Sequence, residues 1–212
     1  NISIVTTIIW ETTDPYASYI NDASNMLAAL RNHWTSNNGS ISRDLVHLMT
    51  KRNNTGTGGI AWLDVLCSMS YGYAFSAHLN NDTTYNFPNP TYTWNLMVCA
   101  HEVGHNVGSP HTHSCNWVAD PTYGFSGGGI DDCGVVSGSS NACNPPAPSP
   151  PGGIGTIMSY CHNGGSGIAL NFHDIVLSQA LTPAISSASC LTTCGEGCTD
   201  SLAFNYNPNS YI

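Results

Sequence analysis

The chain has 212 residues, of which 13 are acidic and four are basic, so its formal net charge is −9. The basic residues are Arg31, Arg43, Lys51 and Arg52, and with so few cations the chain is a poor partner for nucleic acid or for an anionic membrane surface. No apolar run approaches the roughly 18 residues that a membrane-spanning helix needs.

The first part of the chain predicts strands around one helix. The β-branched run 2–10 predicts a strand, and residues 22–35 carry apolar side chains at helical spacing. Residues 44–50 and 60–67 predict two strands on either side of a glycine-rich turn, and residues 71–79 predict another. At this length the chain can bury a core as one domain or as two small ones.

The second part predicts two helices separated by a long loop. Residues 93–108, TWNLMVCAHEVGHNVG, have helical character and end at a glycine. Residues 120–156 are rich in glycine and proline, which predicts an irregular loop that must be pinned to the fold. A last helix is expected within 173–188, and the tail from Cys190 on is separate. Strands and helices together place the chain in the α/β (α+β) class.

The stretch CAHEVGHNVGSPHTHSC has the spacing of a metal site. Positions four apart share a helix face, so His101 and His105 can offer two imidazoles to one ion. Gly108 ends the helix and lets His111 return as a third ligand, which leaves tetrahedral zinc one open position for water. Zinc lowers the pKa of such water from about 15.7 to about 7. Glu102 can take the water's proton as it attacks a carbonyl, and later pass it to the leaving amine.

Two other interpretations of this stretch exist. His113 is the alternative third ligand, and it would reach the ion only across a longer turn than His111 needs. The histidines could also form a polar surface loop without a metal. The full HExxHxxGxxH spacing disfavours that interpretation, because it is far more restrictive than HExxH alone.

Nine cysteines in a chain of this size indicate an oxidising compartment, and hence a secreted protein with disulfide bonds. The spacings at Cys190, Cys194 and Cys198 are not CxxC pairs and have no histidines nearby, which disfavours a zinc ribbon. Because nine is odd, one thiol is free or bonds outside this chain. The start at Asn1, without Met or a signal peptide, predicts a mature or trimmed product.

The string HEVGHNVGSPH resembles the metzincin zinc signature in its adamalysin (reprolysin) form. GTIMSYC (155–161) resembles the methionine turn that metzincins carry beneath the zinc, with Met158 as its methionine. Residues 43–67 resemble the adamalysin pair of strands that ends in a cysteine. The strings GSPHTH and TIMSYCH resemble those of secreted bacterial adamalysin-like proteases. The resemblance covers roughly residues 1–190.

This resemblance implies a metzincin catalytic domain over residues 1–190, with a twisted mixed sheet, a zinc-binding active-site helix and an irregular C-terminal subdomain. It implies a secreted zinc endopeptidase, made as a zymogen, that cleaves protein or peptide substrates; we expect a monomer. Calcium is a further candidate ion, because adamalysins often hold one through an aspartate that matches Asp44. Substrate would add an antiparallel strand to the edge formed by Gly59, Ile60, Ala61, Trp62 and Leu63.

Three features depart from the family's pattern. Vertebrate adamalysins place Asp after the third histidine, where this chain has Thr112. Residues 2–10 resemble the family's second strand, which would leave the first strand and helix outside this chain; alternatively they are the first strand. Tyr160 has the Met-x-Tyr spacing of astacins, serralysins and pappalysins, whose tyrosine ligates zinc or stabilises the tetrahedral intermediate. The alternative for Tyr160 is an ordinary packed side chain, as adamalysins lack it.

We expect a Cys133–Cys143 disulfide that clips the glycine-rich loop. We also expect Cys115–Cys161, which would tie the chain after the third ligand to the methionine turn.

The family resemblance further implies that Cys67 bonds to Cys190 or Cys194, with Cys99 taking the other. Residues 191–212 contain the start of a GCTDxxAxNYNPxA segment found near the ends of secreted bacterial proteins. The segment's second cysteine is absent here, which makes Cys198 the candidate for the free thiol.

Three functions follow as hypotheses. The first is a secreted zinc endopeptidase. The second is a binding or adhesion module that keeps the fold without catalysis, but such pseudo-proteases typically lose the glutamate that is present here as Glu102. The third is a metal-dependent hydrolase for a non-protein amide, such as a cell-wall peptide.

Overall fold

The computed structural model describes residue 2 and residues 4–82, 92–143, 147–150, 153–165 and 167–191. The architecture is mixed α+β: a small open sheet with helices packed on it, followed by a largely irregular second half. No helix among these residues is both long and apolar enough to cross a membrane.

The first helix, α1, spans Ala23–Asn38 and confirms the prediction for 22–35. It begins at Asp22, whose carboxylate accepts a hydrogen bond from the Asn25 main-chain N–H and so satisfies one of the free donors of the first turn. One face of α1 is buried against the sheet. That face carries Met26, Leu27, Leu30 and Trp34.

The sheet has three strands, β1 (Val46–Met49), β2 (Gly59–Ala61) and β3 (Tyr73–Ser76), in the order β1-β3-β2. β3 lies in the centre, parallel to β1 and antiparallel to β2, and all four of its residues are buried. β2 pairs with β3 along one edge only. Its other edge faces no strand within the described ranges, so this edge can accept an added strand.

The strand predicted at 2–10 is wrong, since the described residues of this run form no strand. Ile2 is 83% exposed and Ile4 is 82% exposed, so the run neither pairs with a strand nor buries a complete face. Of the described residues in this run, Ile8 and Trp10 pack against the core around α1. β-branched residues favour a strand only where a neighbouring strand completes the ladder.

The strand predicted at 60–67 is much shorter than expected, because β2 ends at Ala61. Beyond it the main chain turns away from the sheet, and Asp64 and Cys67 have positive φ values of 57° and 68°. The Asp64 and Val65 N–H groups donate to the carbonyls of His105 and Asn106 instead. The carbonyls of the last turn of a helix lack intrahelical partners, and these two bonds supply donors to carbonyls at the end of the next helix.

The second helix, α2, spans Trp94–Val107 and agrees with the prediction for 93–108. The Thr93 hydroxyl accepts a hydrogen bond from the Leu96 N–H at its start. Gly108 ends it with a φ of 121°, a conformation that favours glycine, and its N–H donates to the carbonyls of Gly104 and His105. The chain therefore reverses directly after the helix.

The second half of the chain is largely irregular, as predicted for 120–156. It contains a short helix at Cys133–Val136 and 3₁₀ turns at Pro121–Tyr123 and Cys161–Gly164. The predicted last helix is present as a run that includes one π-helical stretch. The run comprises Asp174–Val176, Leu177–Leu181 and Thr182–Ser187.

The two disulfides expected in this half have the wrong partners. The structure has Cys115–Cys143 and Cys133–Cys161. The Cys143 N–H donates to the His113 carbonyl, and this bond brings Cys143 close to Cys115. The helix that starts at Cys133 packs on the 3₁₀ turn that starts at Cys161. Main-chain contacts, and not the order along the chain, thus decide the pairing.

The remaining cysteine prediction is correct in one of its alternatives. Cys67 bonds to Cys190, across a sequence separation of 123 residues. Cys99 is the free cysteine in the described part of the chain, so its expected bond is not found there. Cys194 and Cys198, and nearly all of the predicted tail at 191–212, lie outside the described residues.

Candidate metal centre

Three imidazoles converge at the end of α2. The Nε2 atoms of His101 and His105 lie 3.1 Å apart, and that of His111 lies 3.2 Å from the first and 3.1 Å from the second. His101 and His105 share one face of the helix, and the reversal at Gly108 brings His111 back to them. The HExxHxxGxxH spacing predicted this arrangement.

Two of the rings are held by main-chain carbonyls. The Nδ1 atoms of His101 and His105 lie 2.7 Å from the carbonyl oxygens of Ile157 and Ser109. A carbonyl can only accept, so each Nδ1 carries the proton and each Nε2 presents a lone pair. Such an outer hydrogen bond fixes the ring orientation of a histidine ligand.

This donor set fits a zinc ion. Converging Nε2 lone pairs cannot hydrogen-bond to one another, so a cation is the group that satisfies them. Zinc–nitrogen bonds of about 2.0–2.1 Å in a tetrahedral site place neighbouring nitrogens about 3.3–3.4 Å apart, close to the observed separations. Burial, followed by the neighbouring His105, lowers the pKa of His101 to about 3, so its imidazole is neutral and ready to ligate at pH 7.

Glu102 directly follows His101 on α2, and its side chain is buried. Its Oε2 atom has no hydrogen-bond partner in the described structure. Burial raises the pKa of Glu102 to about 8, and a divalent cation beside it would lower that pKa again. A carboxyl group with a pKa near neutrality is suited to accept and return a proton.

The methionine turn lies directly beneath the helix. Met158 is fully buried, and its sulfur lies so near Gly104 that a methyl group there would approach it to 2.6 Å. The Thr112 N–H and hydroxyl both point to the Met158 carbonyl, at 3.1 and 3.3 Å. Thr112, which stands where vertebrate adamalysins have Asp, therefore ties the third-ligand loop to this turn.

Tyr160 lies against the histidine cluster. Its ring centroid is 4.4 Å from that of His111 and 6.1 Å from that of His101. Burial, and then the charge of Glu102, raises the pKa of Tyr160, so its phenol keeps its proton at neutral pH. A protonated phenol in this position can donate a hydrogen bond to a developing oxyanion.

His113 lies behind the cluster and not in it. Its ring stacks on His111 with a centroid separation of 4.8 Å, and its Nε2 atom lies 3.3 Å from the Ser139 hydroxyl. The group of side chains that can hold one ion comprises His101, His105 and His111 without His113. The structure thus favours His111 as the third ligand.

One other group of potential ligands occurs in the described residues, formed by Asp131, Cys133 and Cys161. Its two cysteines bond to each other, so their sulfurs cannot act as thiolate ligands. Among the described residues, neither of these two groups includes Asp44.

A cleft of about 550 Å³ opens beside Glu102 and reaches the start of the edge strand β2. Trp94 stands within it, stacked on His78 at a centroid separation of 6.4 Å and in edge contact with His162 at 5.7 Å. Three parts of the chain line the cleft: the segment that leads into β2, the buried side of α2 and the segment after the methionine turn. Those segments supply Thr57, Gly58, Gly59, Met97, Val98, His101, Tyr160 and Asn163.

Asn106 is a site residue whose role the spacing did not reveal. It is completely buried, and its side-chain amide donates to the carbonyls of Trp62 and Tyr73, at 2.8 and 3.1 Å. These bonds fasten α2 to the sheet beside its open edge. A polar residue on an otherwise buried helix face is the signal that identifies it.

Comparison with known proteins agrees with this geometry. Residues 1–171 match the Reprolysin_5 family, described as metallo-peptidase family M12. This match contains all three converging histidines, Glu102, Met158 and Tyr160. No protein with a curated description matches the chain.

Proposed function

The chain belongs to metallopeptidase family M12, and from this membership we propose that it is a secreted zinc endopeptidase of the adamalysin-like metzincins. As a metalloprotease it acts on protein or peptide substrates. The proposal adds that His101, His105 and His111 hold the zinc and that Glu102 is the general base. Residues 1–190 are proposed as the catalytic domain, with 191–212 as a separate tail.

One observation carries the proposal. The Nε2 atoms of the three histidines converge at the cleft in which Glu102 and Tyr160 also stand, next to an open sheet edge. A bound zinc ion would polarise a water molecule and the substrate carbonyl. Beside it, Glu102 would be the proton acceptor, Tyr160 the phenol donor and the open edge of β2 the surface for an extended peptide.

Each side chain then has a defined task. Glu102 accepts the proton of the attacking water on its carboxylate and returns it to the amine that leaves. The Tyr160 phenol donates to the carbonyl oxygen as that oxygen becomes negative. β2 binds the substrate main chain by adding it as an antiparallel strand, which holds the scissile bond in register with Glu102.

Digestion of a denatured protein tests this function. Activity should disappear when a chelator removes zinc and return when one equivalent of zinc is added. Cleavage at internal peptide bonds, read by mass spectrometry, identifies an endopeptidase. Hydrolysis of cell-wall peptides without cleavage of proteins would instead support an amide hydrolase, and zinc binding with no hydrolysis would support a binding module.

A further inference from the structure

The main chain at the start of β2 lies in direct contact with the carboxylate of Glu102. A methyl group added at Gly59 would overlap Oε1 of Glu102 and would lie 2.8 Å from its Cδ and Cγ atoms. Real Cβ atoms essentially never lie that close to another heavy atom outside their own residue. Any residue larger than glycine at this position must therefore displace the glutamate or the strand.

Space, and not backbone conformation, is what requires glycine here. Gly59 is not among the residues with positive φ, so its backbone conformation is open to other residues. Glycine weakens a strand, whereas β-branched residues stabilise one. A glycine at the first residue of a short edge strand is therefore explained by the close approach of another group, and that group is Glu102.

Hydrogen bonds contribute little to the position of this glutamate. Within the described parts of the chain, its Oε2 atom has no hydrogen-bond partner, and the ion pair found there, Arg52–Asp14, does not involve it. The side chain is nevertheless only 4% exposed. Packing against the β2 main chain therefore holds the carboxylate in place.

We propose that Gly59 is a positioning residue for Glu102, because its missing side chain leaves the space in which the carboxylate stands. The consequence for catalysis rests on the function proposed above, whereas the packing itself does not. In that function the same short segment binds the substrate main chain and sets the position of the base. The segment at the start of β2 would thus position both the scissile bond and the Glu102 carboxylate.

Gly58 provides a matched control. A methyl group there would lie 2.6 Å from Cη2 and Cζ2 of the Trp94 indole, and Glu102 is not among the atoms it would meet. The indole is held in place by the bond from its Nε1 to the Ala77 carbonyl, at 2.9 Å. The neighbouring glycines therefore accommodate two different side chains.

A thermal double-mutant cycle tests the packing without reference to activity. Gly59→Ala should lower Tm by roughly 2–10 °C in the wild-type background. In the Glu102→Ala background the shift should vanish, because the overlapping atoms are gone. Gly58→Ala should lower Tm by the same amount in both backgrounds. Equal shifts for Gly59→Ala in both, or no shift in either, would overturn the proposal.

Steady-state kinetics tests the consequence for catalysis. Gly59→Ala should keep one zinc per chain and lower kcat by about 10–100-fold with KM within about two-fold, since a displacement of about 1 Å at a catalytic group can cost that much. Gly58→Ala should chiefly raise KM. An unchanged kcat in Gly59→Ala would refute the positioning role. If the wild-type protein hydrolyses nothing, the proposed function fails while the thermal cycle remains readable.

Discussion

The Nδ1 atom of His101 lies 2.7 Å from the carbonyl oxygen of Ile157, which is 56 residues further along the chain. Ile157 directly precedes Met158, and the Met158 carbonyl in turn accepts from Thr112, next to the third histidine. The first and third candidate ligands are therefore oriented by the same turn. This turn belongs to the irregular half of the chain, so we expect metal binding and the packing of that half to be coupled.

Removal of zinc should therefore destabilise the protein as well as inactivate it. His105→Ala takes away one of three imidazoles, so zinc content should fall well below one per chain and Tm should drop toward that of chelated wild type. His113→Phe keeps a flat ring behind His111 and should retain one zinc. Metal analysis and a thermal melt on both variants check this. Loss of zinc in His113→Phe but not in His105→Ala would reverse the ligand assignment.

A peptide-like inhibitor should lie antiparallel to β2. Its main chain should hydrogen-bond to Gly59 and Ala61 along the open edge, and one side chain should enter the cleft beside Trp94. A structure of the complex would show this. An inhibitor bound away from the space between β2 and residues 160–163 would contradict it.

The pairing in the irregular half can be mapped directly. Peptide mapping without reduction should give Cys115 linked to Cys143 and Cys133 linked to Cys161. Peptides that join Cys133 to Cys143 would match the pairing expected to clip the glycine-rich loop and would contradict the structure. The same map should show Cys67 linked to Cys190.

We expect the free energy of unfolding to fall at acid pH because of His47. Burial lowers its pKa to about 4, and its Nε2 lies 2.7 Å from the Ser76 hydroxyl. An unfolded histidine has a pKa of about 6.5, so between pH 6.5 and 4 the unfolded chain binds a proton that the folded chain does not. The free energy of unfolding therefore falls as pH decreases across this window.

The variant His47→Gln isolates this contribution. It keeps a group that can bond to Ser76 but cannot gain a proton. Urea unfolding at pH 7.0 and pH 4.5 should show a smaller loss of stability for the variant than for the wild type. Equal losses in the two proteins would mean that His47 does not titrate as described.

Local spacing predicted the site far better than it predicted the sheet or the disulfides. His101, His105 and His111 are set by one helix and one turn, so eleven consecutive residues contain the geometry. The run 2–10 has strand propensity, but a strand also needs a partner, which propensity cannot supply.

The contacts that the sequence did not reveal are between distant residues. The Cys143 N–H bonds to the His113 carbonyl across an irregular loop, and this bond decides which cysteines meet. Gly59 packs on Glu102 from a different element, so neither residue alone indicates the contact. Both depend on the tertiary path of the main chain.

In the proposed mechanism Glu102 moves the proton while the three histidines hold the zinc. The most direct measurement is the rate of digestion of a denatured protein by Glu102→Ala, with zinc measured in the same sample. We expect one zinc per chain, as in the wild type, and a rate lower by at least about 10²–10⁴-fold. Near-wild-type proteolysis with zinc bound would contradict it.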